Sequence, residues 1–292
     1  MKVALFGKSI SASDAPYLQG FVDRLESLNG LIYLYEPFYI AIREKIRFGR
    51  EPKTFTTQKE IRGQVEYLFS IGGDGTLLDT ITLVGNSEIP VIGINMGRLG
   101  FLSGIPKEEI LPALDEIINK KYLIDERTLL RLESAGKLFG EFNYALNDFT
   151  IYKSSPNSLL AIRTYINDEF LNTYWADGLI VATPTGSTAY SLSCTGPILS
   201  PESENFVITP IASHNLTVRP IVIPDSSIIR IMVESRDREC NIGLDSRILK
   251  LNMPMELVIR KENFKILLLR MTGTNFFETI RAKLNWGLDI RN

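Results

Sequence analysis

Up to about residue 125 the chain alternates short apolar runs with stretches of helical spacing. Beyond it, strand-like runs follow one another with little helix between them. No other feature narrows the possible folds as much. Alternating strand and helix favours an open, mostly parallel sheet flanked by helices, whereas strand after strand favours a β-rich layered domain. Apolar runs at 3–6, 31–35, 66–71 and 90–94 predict the strands of the first part. Between them Leu18, Phe21, Val22, Leu25 and Leu28 fall at helical spacing, as do Ile110, Leu111, Leu114, Ile117 and Ile118 within 107–120. Helices are also expected over 38–48 and 77–84. In the second part strands are expected at 129–133, 149–153, 160–166, 170–174, 179–182, 207–211, 228–233, 240–244, 255–260 and 265–269, with Asn167-Asp168-Glu169 as a hairpin turn. Near the end Asn275 is an N-cap with Glu278 three residues on, and Phe276, Ile280 and Leu284 share a face. The expected organisation is an α/β domain over 1–125 and a β-rich, sandwich-like domain over 126–272. The segment 273–292 is expected to return to the first domain to bury its stripe.

Composition excludes several classes. A chain of 292 residues with 45% hydrophobic and 23% charged residues has enough material for two such domains. A net charge of −2 leaves no basic footprint for a nucleic acid. No apolar stretch approaches the roughly 18 residues that span a membrane, and residues 1–7 are expected to be a first strand, not a signal peptide. The expectation is a cytoplasmic protein. Cys194 and Cys240 form no Cys-x-x-Cys pair and are expected to act as small buried hydrophobes. The single histidine, His214, cannot build a typical zinc site, and no Gly-x-Ser-x-Gly elbow accompanies it.

The strongest local signal is Ser70-Ile71-Gly72-Gly73-Asp74-Gly75-Thr76, where a strand runs into three glycines around one carboxylate. Strand ends in α/β sheets favour ligands, and glycines let backbone N–H groups approach phosphate. Asp74 in such a cradle is suited to hold a metal ion or to take a proton from an attacking hydroxyl. The bland alternative is a strand-to-helix turn with Asp74 capping the helix at Leu77. Neither common phosphate loop is present: Gly7-Lys8-Ser9 lacks the first glycine of Gly-x-x-x-x-Gly-Lys-Ser/Thr, and no Gly-x-Gly-x-x-Gly follows a strand.

Residues 176–193 are the second constellation. Asp177-Gly178 turns into an apolar strand that empties into Thr183-Pro184-Thr185-Gly186-Ser187-Thr188-Ala189-Tyr190, with a short helix expected from about Thr188. Hydroxyls at a helix start attract anions or polar nucleotide atoms; a well-capped strand–helix junction would look the same. Asn147-Asp148 within a strand-like stretch is a third candidate, although polar pairs in strands usually face solvent. Tyr174 and Trp175 can stack on a base or pack in a core.

Together these segments closely resemble the NAD kinase family. The matching pieces are Gly72–Thr76, residues 95–102 (Asn-Met-Gly-Arg-Leu-Gly-Phe-Leu), Asn147-Asp148, 177–193, Gly196-Pro197-Ile198-Leu199 and Lys283-Leu284-Asn285-Trp286-Gly287. The resemblance implies transfer of the terminal phosphate of ATP to the 2′-hydroxyl of the adenosine ribose of NAD, giving NADP, with a divalent cation, commonly magnesium. It implies a homodimer or homotetramer, and an α/β nucleotide-binding domain followed by a β-rich NAD-binding one. It matches Asp74 to the proton acceptor and Gly72, Gly73 and Gly75 to cofactor-binding positions beside it, with Gly75 contacting the dinucleotide. Asn147 and Asp148 match a pair that holds the nicotinamide-side ribose or the adenine, and Asp177 matches an acid near the nicotinamide end. Thr188, Ala189, Tyr190, Ser193 and Ala212 match residues that line NAD. The sequence departs from the family at Asp245-Ser246-Arg247, where members often carry Asp-Gly-Gln, and at Trp175, where many have a basic or small residue. Rival readings are a lipid or sugar kinase of the wider superfamily and a non-catalytic NADP-binding protein; the retained Asp74 argues against the latter.

Overall fold

The computed structural model describes residues 1–97, 100–134, 137–235, 238–252 and 254–286. Arg98, Leu99 and Gly287 of the family-like segments lie outside the described residues. The chain divides into two compact units, one of Met1–Glu126 together with the residues from Ile266 on, the other of Arg127–Lys265.

In the first unit β1 (Lys2–Gly7), β2 (Leu31–Tyr35), β3 (Lys53–Phe55), β4 (Tyr67–Ile71) and β5 (Val91–Asn95) form a parallel sheet in the order β3-β2-β1-β4-β5. Ala4 stands opposite Tyr33 on one side and Leu68 on the other. Beyond β5, Leu268 of the late strand pairs with Val91, also in parallel, and the two-residue β6 (Ile105–Pro106) runs alongside β5. The strands are apolar runs because helices cover the sheet. Those helices are α1 (Ala15–Ser27), α2 (Glu36–Ile42), α3 (Gln58–Ile61), α4 (Asp74–Val84) and α5 (Ile110–Ile118). Leu18, Phe21, Val22 and Leu25 of α1 and Ile110, Leu114 and Ile117 of α5 share one core with Leu5, Leu34, Phe69, Ile92 and Leu269.

Two helices are shorter than the sequence implies. The helix expected over 38–48 stops at Ile42, because the Gln19 side chain takes both backbone groups of Arg47 and Glu26 takes the N–H groups of Gly49 and Arg50. Ile46 still reaches the core, from a turn. Over 107–120, the first three residues form a 3₁₀ turn after Pro106, and Lys120 adopts a positive φ of 56° beyond the end of α5.

The second unit is antiparallel. Its strands are β7 (Tyr122–Ser134, entering from the first unit), β8 (Tyr144–Ala145), β9 (Asp148–Lys153), β10 (Leu160–Ile166), β11 (Glu169–Ala176), β12 (Gly178–Ala182), β13 (Asn205–Ile211), β14 (Ile221–Pro224), β15 (Ile229–Ser235), β16 (Glu239–Leu244), β17 (Arg247–Asn252) and β18 (Met255–Met271). One layer runs β14-β13-β12-β9-β16-β17, the other β11-β10-β15-β18. Phe149, Ile151, Leu179, Val181, Phe206 and Ile242 of the first layer share a core with Ile162, Ile231, Val233, Leu257 and Ile259 of the second. On the opposite face of the six-stranded layer Ile180, Ala182 and Val207 pack against Cys194 and Leu199, so the 183–199 segment lies over β12 and β13. Residues 255–260 and 265–269, expected as two strands, belong to one strand, β18, and β14 and β17 are additional. The late helix is α7 (Phe276–Leu284). The Asn275 side chain accepts the Glu278 N–H at 2.9 Å, and Ile280 is buried. Among the described residues no helix is long and apolar enough to cross a membrane.

Candidate active site

In the first unit, Gly72 and Gly73 are the whole connection between β4 and α4. Gly72 has φ 150°, and a Cβ there would fall 2.4 Å from the Thr76 hydroxyl, so no other residue fits without displacement. Gly73 and Gly75 are exposed, and a Cβ on either would meet nothing within 4 Å. The carbonyl of Gly73 receives the N–H groups of Thr76 and Leu77; those of Asp74 and Gly75 have no intrahelical carbonyl to bond, as at any helix start. The cradle is therefore open where the amides emerge.

Asp74 does not cap its own helix. Its carboxylate reaches across to the segment after β5: Oδ2 accepts the Phe101 N–H at 2.7 Å, and Oδ1 accepts those of Leu102 at 3.0 Å and Ser103 at 2.8 Å. Three backbone amides hold a half-buried anion in one orientation. Each carboxylate oxygen accepts about two hydrogen bonds, so Oδ1 is filled and Oδ2 keeps one free position. Gly100 permits this approach, since a Cβ on it would lie 1.8 Å from Oδ1.

The remaining candidates belong to the second unit. Asn147 and Asp148 lie where the chain enters β9, their backbone bonded on both sides. The Asn147 carbonyl accepts the Thr183 N–H at 2.9 Å, the Thr183 hydroxyl donates to Leu146 O at 2.5 Å, and Gly186 passes so close that a Cβ would lie 2.0 Å from the Asn147 carbonyl oxygen. From the other side the Asp245 carboxylate accepts the N–H groups of Leu146, Asn147 and Asp148. Asp148 does not face solvent as a strand pair usually would; it is 6% exposed. Burial first, then the charge of Asp245, push its carboxyl up to about 7. Burial also raises Asp245 itself, against its three N–H donors and Arg247.

Residues 183–193 separate into two sets. The hydroxyls of Thr183, Ser187 and Ser191 are buried and bonded internally, Ser187 to Pro184 O and Ser191 to the Thr209 hydroxyl. Thr188 and Ala189 are half-buried, while Tyr190 and Ser193 are exposed. The expected helix is a 3₁₀ turn, Gly186–Thr188, followed by the single turn α6 (Tyr190–Ser193). Burial, and behind it Cys194, Asp148 and Asp177, push the Tyr190 hydroxyl up, which places these groups in one neighbourhood. Asp177 is paired with Lys153 at 2.7 Å. Ala212 is exposed just past β13 with φ 44°, a conformation uncommon outside glycine, and the His214 N–H ties the same loop to Trp175 O at 2.8 Å. Trp175 is half-exposed and outside the core, whereas Tyr174 is buried. Arg247 donates to the carbonyls of Phe142 and Tyr144. Sequence reasoning did not foresee the supporting roles of Gly100, the 101–103 amides, Thr183, Gly186 and Asp245. Their signal lies in contacts between distant segments.

Magnesium was expected. Among the described residues no group of three His, Cys, Asp or Glu side chains comes together to hold a metal ion, and both oxygens of Asp74 already accept amides. The donor set does not form a protein-held cage.

Two family models match the chain: the ATP-NAD kinase N-terminal domain over residues 42–122 and the ATP-NAD kinase C-terminal domain over 146–270. These spans contain the Asp74 cradle and the Asn147–Asp148 neighbourhood. Among curated relatives, the NAD kinase of Cytophaga hutchinsonii is 45% identical and that of Flavobacterium johnsoniae 44%, each over the full length of both chains. Among solved structures, yeast NADH kinase complexed with NADH superposes with a TM-score of 0.87 at 26% identity, covering 100% of this chain and 89% of that one. An NAD kinase from Archaeoglobus fulgidus in complex with ATP has the same fold, with a TM-score of 0.75 at 20% identity over 98% and 99% of the two chains. With both halves matched and full-length relatives at such identity, the chain belongs to the NAD kinase family.

Proposed function

We propose that this chain transfers the terminal phosphate of ATP to the 2′-hydroxyl of the adenosine ribose of NAD, releasing NADP and ADP, with Asp74 as the proton acceptor. One observation supports that role above the others. Asp74 is held by three amides at the open mouth of a glycine cradle, with a single acceptor position left on Oδ2. A ribose hydroxyl bonded there would pass its proton to Oδ2 as its oxygen bonds to phosphorus and the bond from phosphorus to the β-phosphate oxygen breaks. Phosphoryl transfer needs alignment and neutralised oxygen charge more than covalent help. The unbonded amides at the start of α4 suit the donor phosphates. Magnesium is expected to arrive with ATP, bound by its phosphates, since this ion commonly keeps water and substrate oxygens as ligands.

On this reading the second unit binds the dinucleotide. Asn147 and Asp148 hold a sugar or the adenine, Asp177 lies toward the nicotinamide, and Thr188, Ala189, Tyr190, Ser193 and Ala212 line the site. The enzyme acts in the cytoplasm as a homodimer or homotetramer, which sedimentation measures. The decisive assay couples NADP formation to a dehydrogenase, with ATP or polyphosphate as donor and NAD or NADH as acceptor. NADP formation from ATP and NAD is expected. NADP binding without turnover would favour a sensor, and turnover only with a lipid or sugar would favour the wider kinase superfamily. Asp74→Asn is expected to lower kcat by roughly 10²–10⁴, the usual general-base contribution. A variant retaining more than about a tenth of wild-type turnover rules the role out.

A further inference from the structure

β16 and β17 stay in register from Glu239↔Asn252 to Leu244↔Arg247, so Asp245 and Ser246 alone make the turn. Asp245 takes φ 52°, a conformation that aspartate, asparagine and glycine adopt in tight hairpins. Its carboxylate is not directed at the hairpin. Oδ2 accepts the N–H of Leu146 at 2.9 Å, and Oδ1 accepts those of Asn147 at 2.7 Å and Asp148 at 3.2 Å. The N–H of Asp245 in turn donates to Asp148 O at 3.0 Å. Two residues on, the guanidinium of Arg247 donates to the carbonyls of Phe142 and Tyr144. Thus the anion binds amides and the cation binds carbonyls along one stretch, 142–148. The paired strands close without either contact, and a carboxylate removed from water is costly unless its bonds are required.

We propose that Asp245, assisted by Arg247, is a positioning residue for the dinucleotide: its carboxylate fixes the Asn147–Asp148 backbone in the form that receives the substrate before the substrate arrives. The inference rests on the reading that Asn147 and Asp148 bind NAD. The ionisable groups facing Asp148 are Asp245, Tyr190 and Cys194, with Arg247 behind Asp245. Replacing Asp245 by asparagine puts an NH₂ where one amide needs an acceptor, and it removes the negative charge that opposes ionisation of Asp148.

The test uses the full chain. Asp245→Asn is expected to raise KM for NAD about tenfold or more, the scale of one charged hydrogen bond, and to leave KM for ATP within about twofold. It is also expected to move the acid limb of kcat/KM for NAD to lower pH, which a merely structural role would not do. Arg247→Lys keeps the charge, loses the planar fork and should raise KM for NAD in the same direction by less. An Asp245→Asn enzyme with unchanged KM for NAD and an unchanged acid limb overturns the proposal. So does one whose KM for ATP rises equally. If that variant does not fold, hydrogen exchange of the wild type decides: slow exchange of the Leu146, Asn147 and Asp148 amides before NAD is added supports it, and protection appearing only with NAD sinks it. A wild type making no NADP would defeat the kinase reading. An active wild type with an indifferent variant would defeat this inference alone.

Discussion

Asp74 is fixed by groups on another segment, and that makes Gly100 as consequential as any charged residue. A methyl group at position 100 would fall within 2.7 Å of the carboxyl carbon and both oxygens of Asp74, nearest at 1.8 Å. Either the carboxylate turns away or the 101–103 amides move. A displacement of about 1 Å at a reacting group can cost on the order of 10²-fold in rate. Gly100→Ala is therefore expected to lower kcat by at least about tenfold with little change in KM for NAD, measured by initial rates. Turnover within about twofold of wild type would show that the amide clamp on Asp74 is dispensable.

At the scale of elements, the 183–189 turn supports the Asn147 segment through backbone contact. Gly186→Ala would drive a Cβ into the Asn147 carbonyl, with its O, C and Cα all within 2.7 Å. Overpacking against rigid backbone costs about 1–3 kcal/mol, so a lower urea midpoint is expected together with weaker NAD binding by titration calorimetry. An unaltered midpoint would mean that the turn is free to move. The same element shows what a sequence can reveal. The strands β1, β4, β5 and β12 are legible because they are buried on both faces and leave nearly continuous apolar runs, and β9 is legible by its alternation of Phe149 and Ile151 with polar residues. The edge strands β14 and β17 are not: they end their layer and leave Val222, Ile248 and Leu249 exposed, the apolar run of β14 is only three residues long before Pro224, and β17 interrupts its apolar residues with Lys250. Candidate residues such as Asp74, Asn147 and Asp177 are legible as residue types in family-like motifs. Their supports are not, because Asp74 meets its amides 27 to 29 positions away and Asp245 meets its amides 97 to 99 positions away. Local patterns hold no trace of such pairings.

At the scale of the whole molecule, buried acids set how stability varies with pH. The Asp148 carboxyl has an ordinary value of 3.8 and is pushed up to about 7, by burial first and Asp245 second. Between those values the folded chain keeps a proton that the unfolded chain has released, so stability falls as pH rises through that window, by on the order of a few kcal/mol at most. Asp245 shifts in the same direction. Glu60, drawn down to about 2 chiefly by the Thr56 and Thr57 amides, has the opposite sign. Its contribution is present above about 4.5 and is lost as pH falls toward 2, a window that overlaps that of Asp148 only between 3.8 and 4.5. The urea midpoint is expected to be higher at pH 5 than at pH 7.5, and Asp148→Asn should flatten the difference. A wild-type midpoint that climbs over the same range would contradict the burial of that carboxyl.

The path of β18 has a consequence for biosynthesis. Its first half belongs to the second unit, while Leu268 pairs with β5 and Leu269 enters the core of the first. Residues 1–126 therefore leave the ribosome with β6 beside only Ile94 and Asn95 of β5, and the position opposite Val91 is filled only after some 140 further residues have been translated. Each newly made molecule must keep this sheet edge from pairing with other chains until its own tail emerges.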